Sequence, residues 1–230
     1  MRKPIRNLLI ALAVLVVLFV AVDRTSVAVA ENQISNRVAT AYNLPSKPAV
    51  GIAGFPFLTQ VVAGDYQEID ISTPQVQANG VTLHNLAAHF MGVHASLSQL
   101  LGQGQASVMA DQATGSATVP FAAISQRLPR GVHIKPSGSD LQVTAAARLQ
   151  GVRRSCQATT ALDVAGSGLM LTLVNLECAG VHLPVSVLPQ SSFNIPLSAL
   201  PLHLHLASVH ITPGGLQIGV SARNVYFAKA

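Results

Sequence analysis

The sequence predicts an α+β protein, in which a long N-terminal helix precedes a mostly antiparallel β-sheet with one short additional helix. Three observations support this class: an apolar N-terminal segment that continues at helical spacing, alternation with period two after Pro48, and turn residues recurring through the rest of the chain. The 200 residues from 31 to 230 are enough for one hydrophobic core. We therefore expect a single domain over residues 31–230.

The first thirty residues have the layout of an export signal. Arg2, Lys3 and Arg6 precede an unbroken apolar run over residues 8–22. Fifteen helical residues rise about 22 Å, less than the roughly 30 Å hydrocarbon core of a bilayer. Ala28-Val29-Ala30 fits the small-x-small pattern of a cleavage site, although Asp23-Arg24 places charge before it. Residues 1–30 thus predict either a cleaved signal peptide or an N-terminal membrane anchor, and both place the rest of the chain outside the cytoplasm.

A helix is predicted to continue to about Leu44, where Pro45 and Pro48 end it. Its apolar residues recur at spacings of three and four, which puts them on one face. This face could continue the membrane segment or pack onto the domain. Its members are Val27, Ala30, Ile34, Val38 and Ala41.

The remainder alternates as half-buried strands do. Ile69 and Ile71 alternate with Glu68, Asp70 and Ser72, and Val81 and Leu83 alternate with Thr82 and His84. A short helix is predicted between Pro120 and Leu128. Turns are predicted at Asn79-Gly80, Thr114-Gly115, Ser137-Gly138, Gly166-Ser167-Gly168 and Pro213-Gly214-Gly215.

The last hairpin has the clearest pattern. Its first strand carries Leu202, Leu204 and Leu206 on one face, and its second carries Leu216, Ile218 and Val220. Near Ala207-Ser208 the apolar phase moves to Val209 and Ile211, which predicts a β-bulge or bend.

The two cysteines predict a disulfide. Cys156 and Cys178 each lie eleven residues from Ser167, so a hairpin closed by that turn would set them opposite each other. Directly opposed residues have Cα atoms about 4.5 to 5.5 Å apart, which suits a disulfide in an oxidising compartment. Two free thiols are the main alternative, and a metal site is a poorer one because no His pair is nearby.

The charge pattern argues against a nucleic-acid partner. The net charge is +5, but four of the fourteen basic residues lie in the first 24 positions, and no basic stripe or aromatic RNA-binding box follows. Charge is sparse beyond residue 30, which leaves much neutral or apolar surface. Such a surface suits lipid contact, and equally a β-domain rich in Ser, Thr and Gln.

No motif for catalysis is present, whether a nucleophile elbow, a zinc-binding His-Glu-x-x-His helix or a phosphate-binding Gly loop. His203 and His205 share a strand face, and a hydrolase would need them beside Asp163 or Glu177. His84, His89 and His94 recur every five residues, a spacing that keeps no common face in a helix or strand. We expect a protein that is not an enzyme and that needs no metal and no cofactor.

Between the helix and the first predicted strand, Gly54 and Pro56 predict a fixed extended turn. Phe55, Phe57 and Leu58 cannot all point to the same side of it. The segment either anchors the core or contacts lipid. The candidate lipid-contacting residues are Ile52, Phe55, Phe57, Leu58, Val61 and Val62.

The Gly-Phe-Pro-Phe-Leu-Thr-Gln segment at residues 54–60, followed by Gly64-Asp65-Tyr66 and an alternating strand, resembles the LmeA-like family of phospholipid-binding envelope proteins of actinobacteria. A looser similarity extends over residues 27–227. The resemblance implies a fold like the tubular lipid-binding modules, in which a strongly curved sheet wraps the long helix and leaves an apolar groove.

The same resemblance implies phospholipid as the partner and a role in envelope lipid or lipoglycan assembly. The protein would work in the extracytoplasmic envelope, the periplasmic space, either secreted or tethered at the outer surface of the plasma membrane. An alternative is a non-catalytic scaffold or accessory partner of a membrane-embedded envelope-biosynthesis enzyme.

Overall fold

The computed structural model describes residues 2–78, 81–101, 108–126, 133–138, 140–149, 152–165, 168–184, 192–196 and 205–227. It confirms the α+β class, with a long N-terminal helix and antiparallel strands. The helices are α1 (Arg2–Ala41), α2 (Phe57–Ala63), α3 (Leu97–Leu100) and α4 (Phe121–Ser125). The strands are β1 (Ala49–Ala53), β2 (Asp65–Ala78), β3 (Val81–His94), β4 (Val108–Pro120), β5 (His133–Ser137), β6 (Asp140–Leu149), β7 (Val152–Ala165), β8 (Gly168–Cys178), β9 (Val181–Leu183), β10 (Ser192–Pro196), β11 (His205–Thr212) and β12 (Gly215–Phe227).

The described strands form two sheets. One has the order β1-β2-β3-β4-β12-β11, and the other has the order β10-β8-β7-β6-β5, with β9 paired to β8. The chain divides into two compact units, of which the first comprises residues 1–72, 89–113 and 223–230, and the second residues 73–88 and 114–222. The strong curvature expected of the sheet stays a prediction.

The core of the first unit is built against the predicted helix face. Val27, Ala30 and Ile34 are buried, Val38 packs at the edge of their cluster, and Ala41 is exposed. The strands and α2 supply the other buried members of the cluster, which are Ile52, Phe57, Tyr66, Ile69, Val93 and Ala110. The helix face therefore packs onto the domain, while the same helix runs back without a break through the apolar segment.

Polar contacts fix α1 along β1, the edge strand of its sheet. The Ile52 N–H donates to Glu31 Oε1 at 2.9 Å, and the buried Ser35 hydroxyl donates to the Pro48 carbonyl at 2.6 Å. A helix that covers a strand edge and satisfies its backbone groups also protects that edge from pairing with another chain.

Two of the five predicted turns, Ser137-Gly138 and Pro213-Gly214-Gly215, are confirmed, and one is wrong. The register of β11 and β12 shifts between Leu206 and Ser208, as the phase change predicted, and α4 confirms the predicted short helix. The turn predicted at Thr114-Gly115 is wrong, because both residues lie inside β4. A Cβ on Gly115 would lie only 3.2 Å from the Val220 side chain, so this glycine permits a close approach within the sheet.

Several of the sequence predictions fall wholly or partly outside the described residues. They are the Asn79-Gly80 turn, residues 127–128 of the predicted short helix, residues 166–167 of the Gly166-Ser167-Gly168 turn, and Leu202, His203 and Leu204 before the last hairpin.

The second unit contains the predicted disulfide, which joins Cys156 on β7 to Cys178 on β8. The two cysteines are direct register partners, but for a reason that the sequence did not reveal. Ala165 and Gly168 pair at the closed end of the hairpin, and that register alone would set Cys156 opposite Glu177. A bulge that leaves Val174 without a partner shifts the register by one residue and aligns the cysteines.

Replacing both cysteines by alanine is expected to lower the free energy of unfolding by about 2–4 kcal/mol, because the crosslink restricts the unfolded chain. Urea unfolding of the two proteins measures the difference. Reductant should reduce the stability of the natural protein to that of the Cys156→Ala/Cys178→Ala variant, and should leave the variant unchanged. Equal stabilities, or thiols that react in the oxidised protein, would contradict the prediction.

Candidate lipid-contacting site

The segment from Gly54 to Gln60 joins β1 to α2. Gly54 has φ +102°, a conformation that favours glycine, and a Cβ there would lie 2.6 Å from the Gln60 side-chain nitrogen. Pro56 then precedes the first residue of α2 in an extended conformation, after a cis peptide bond from Phe55. The predicted fixed turn is thus a short link, and a helix follows it that the pattern did not predict.

Gln60 connects α2 to both neighbouring strands. Its side chain is buried, with Nε2 donating to the Ala53 carbonyl at 3.3 Å and Oε1 accepting from the Gln67 N–H at 2.9 Å. A buried amide that is bonded at both ends fixes its surroundings, since either bond broken would leave a polar atom unsatisfied.

Phe57 and Tyr66 form the aromatic part of the core beneath α2. Both are almost fully buried, and their ring centroids lie 6.3 Å apart. Burial raises the pKa of the Tyr66 hydroxyl. Gly64, in a left-handed conformation, ends α2 and lets Asp65 begin β2. The Gly64-Asp65-Tyr66 triplet therefore turns the chain from helix to core strand.

Asp23 is the residue of this site that sequence reasoning missed. Its side chain is fully buried, and Oδ1 accepts the Leu58 N–H of the first turn of α2 at 2.9 Å. Pro56, the residue that precedes α2, has no side-chain bond to offer there, so the carboxylate from α1 serves as the cap. A signal was available, because Asp23 lies four residues before Val27 and so extends the buried face of α1 by one turn.

The six predicted lipid-contacting residues differ in exposure. Ile52 and Phe57 lie in the core cluster, and Val61 packs at its edge. Leu58 is half-buried, while Phe55 is 51% exposed and Val62 is 89% exposed. The Arg24 guanidinium lies over the Phe55 ring, 5.1 Å from its centroid. Lipid contact at any of the six stays a prediction.

Histidine and acidic side chains gather elsewhere in the first unit, on β2, β3 and β4. His89 Nδ1 is bonded to Asp70 and lies 3.5 Å from Glu68 Oε1, while His94 Nδ1 bonds Asp65 at 2.6 Å. Glu68, Asp70 and His89 hold atoms of the kind that bind divalent cations within 4.8 Å of one another. These side chains are 34–52% exposed, and the ion pair itself accounts for their proximity.

The hydrogen bond to Asp70, with the charges of Asp70 and Glu68, raises the pKa of His89 above 6.5. Asp70→Asn should therefore lower the His89 pKa, as measured by NMR titration of the imidazole. His94 is the internal control, since its pKa is raised by Asp65 and Asp111. Because the folded-state pKa is raised, the ion pair stabilises the protein fully below pH 6.5 and loses this effect as the pH rises through the folded value. An unchanged His89 pKa in the variant would contradict the assignment.

Among the described members of the predicted hydrolase set, no hydrogen bond or ion pair joins the histidine to an acidic residue. His205 and Asp163 are exposed on β11 and β7, Glu177 is half-buried on β8, and His203 lies outside the described residues.

Comparison with known proteins gives one match. The profile of the LmeA-like phospholipid-binding family matches residues 21–221, which include α1 from before Asp23, the Gly54–Gln60 segment and most of both sheets. No curated protein and no solved structure matches the chain. Since the profile covers most of the chain, this protein belongs to the LmeA-like phospholipid-binding family.

Proposed function

We propose that this protein is exported, remains tethered to the plasma membrane by α1, and binds phospholipid in an apolar groove at the outer surface of that membrane. In this role it supports envelope lipid or lipoglycan assembly without catalysing a reaction. Membership of a phospholipid-binding family over residues 21–221 is the observation that supports binding most strongly. Burial of acyl chains would provide the affinity, at about 0.8 kcal/mol for each buried CH₂ group.

Two features support the extracytoplasmic location. Within the described residues, α1 is the one helix long and apolar enough to cross a membrane, a property that signal sequences share. Arg2, Lys3 and Arg6 would hold its N-terminus in the cytoplasm. The disulfide between β7 and β8 fits an oxidising compartment.

The packing of α1 favours a tether over a cleaved signal. Cleavage after Ala30 would remove Asp23, which caps α2, together with Val27 and Ala30 from the core. The family profile also begins at residue 21, before the potential cleavage site. The mass of the protein isolated from membranes should therefore include residues 21–30.

Lipid binding is tested by extracting lipid from the purified full chain. After extensive washing in detergent, organic extraction and mass spectrometry should find phospholipid in excess over a control. That control joins residues 1–30 to an unrelated soluble domain, so it retains the lipid that surrounds any membrane helix. Equal lipid in the two proteins, with no uptake of a fluorescent phospholipid, would refute the proposal.

The accessory-partner alternative is favoured by the same tether, which would raise the local concentration at a membrane enzyme. Crosslinking in cells separates the two functions. A dominant crosslink to one envelope enzyme, together with the absence of excess lipid, would support the accessory role.

A further inference from the structure

The first unit presents a small surface of apolar side chains beside the C-terminal end of the apolar run of α1, which ends at Val22. It consists of Phe55, Leu58 and Val62 and is called here the α2 surface. Leu58 and Val62 are four residues apart and so share one side of α2, whereas Phe57, Gln60 and Val61 point into the unit. The sequence of α2, FLTQVVA, contains no charge. The outer side of α2 is apolar except for Thr59, whose hydroxyl donates to the Pro56 carbonyl at 2.7 Å. A helix with apolar residues on its outer as well as its inner side is typical of one covered on both.

The position of this surface along α1 is fixed by two contacts. Leu58 is bonded through its N–H to Asp23, and Phe55 lies under the Arg24 guanidinium. The apolar run ends at Val22, and its side chains are exposed rather than packed on the protein. Since helical residues rise 1.5 Å each, Asp23 and Arg24 follow that run by only about 2–3 Å along the axis.

A membrane that covers the apolar run must therefore also reach the α2 surface. The headgroup layer extends roughly 5–8 Å beyond the hydrocarbon on each side of a bilayer. Residues two positions past the apolar run lie within that layer. Phenylalanine and leucine are among the side chains that enter the boundary between headgroups and acyl chains, and a guanidinium binds phosphate oxygens well.

We propose that the α2 surface inserts into the outer leaflet of the membrane that α1 crosses, with Arg24 at the level of the lipid phosphates. The partner of the α2 surface is the bilayer itself, because this surface is continuous with the apolar run of α1 that the bilayer would cover. The buried Asp23 fixes α2 to α1 and so sets the depth of insertion. This inference depends on the tether in the proposed function, but not on a lipid-binding groove.

The absence of tryptophan from the sequence allows a direct test. Phe55→Trp and Val62→Trp each introduce a single tryptophan into the α2 surface of the full chain. The matched control is Tyr42→Trp, at an aromatic residue that is 71% exposed just after the end of α1, about 30 Å further along the helix axis. Each protein is reconstituted in phosphatidylglycerol vesicles, with and without bromine on the acyl chains near the glycerol.

Brominated lipid should quench most of the tryptophan emission at positions 55 and 62 and leave that at position 42 unquenched. Quenching at 55 and 62 no greater than at 42 would overturn the proposal. Quenching at 55 without quenching at 62 would overturn the part assigned to α2. Excess lipid on extraction without quenching would refute this inference alone, while quenching without excess lipid would refute the proposed binding function alone.

Discussion

A chain that begins at Glu31 is expected to unfold with a free energy roughly 3–5 kcal/mol lower than one that begins at Ala21. The ten intervening residues contain the Asp23 bond to α2 and the buried side chains of Val27 and Ala30. Loss of a helix cap lowers stability by about 0.5–2 kcal/mol, and a buried valine contributes about 1.5–3 kcal/mol. Urea unfolding followed by circular dichroism compares the two chains.

A variant of the longer chain isolates the contribution of the carboxylate. Asp23→Asn retains an oxygen that can accept the Leu58 N–H, whereas Asp23→Ala removes it, so the alanine variant should lose more stability than the asparagine variant. If the chain that begins at Glu31 were as stable as the longer one, α1 before residue 31 would be dispensable, and cleavage after Ala30 would again fit the structure.

The sequence predicted the elements whose pattern is local. The helix face at Val27, Ala30 and Ile34, the alternation at Ile69 and Ile71, and the bulge after Leu206 all follow from spacing along one segment. Such patterns are readable because burial of one face imposes a fixed period on each element.

Contacts between distant segments were not predicted. Asp23 caps a helix 35 positions further along the chain, and nothing near it in sequence indicates that partner. His89 and His94 meet acidic groups on neighbouring strands, although a spacing of five keeps no common face in a regular strand. Gly92, which lies between them, has φ +61° and interrupts the regular alternation of side chains along β3. The spacing rule for a regular strand therefore does not apply to these two histidines. Register and tertiary pairing, rather than periodicity, determine these contacts.

The same limit applies to the candidate site. The sequence selected Phe55, Phe57 and Leu58 and indicated that they could not share one side. Which of them points into the core depends on α2. This helix has only seven residues and follows Gly54 and Pro56, so the sequence shows no helical periodicity from which it could be predicted. Phe57 proved to be the core residue and Phe55 the exposed one.

Phe57→Ala is expected to lower the free energy of unfolding by about 3–5 kcal/mol, the usual range for removing a buried phenylalanine ring. The side chain is 2% exposed and contacts the Tyr66 ring, so its loss leaves a cavity and an unpartnered aromatic face. Natural domains have total stabilities of about 5–15 kcal/mol, so the change is a large fraction of the whole. Urea unfolding of the full chain measures it.

Phe55→Ala is the matched control, because it removes the same ring two positions earlier from a half-exposed site. Its effect on the free energy of unfolding should be within about 0.5 kcal/mol, apart from the weak contact with Arg24. For insertion of the α2 surface into vesicles the order should reverse: Phe55→Ala should weaken insertion more than Phe57→Ala, because Phe55 belongs to the α2 surface and Phe57 does not. Equal losses of stability from the two alanine variants would mean that the segment has no inner and outer side, and the assignment of Phe55 to the membrane would lose its basis.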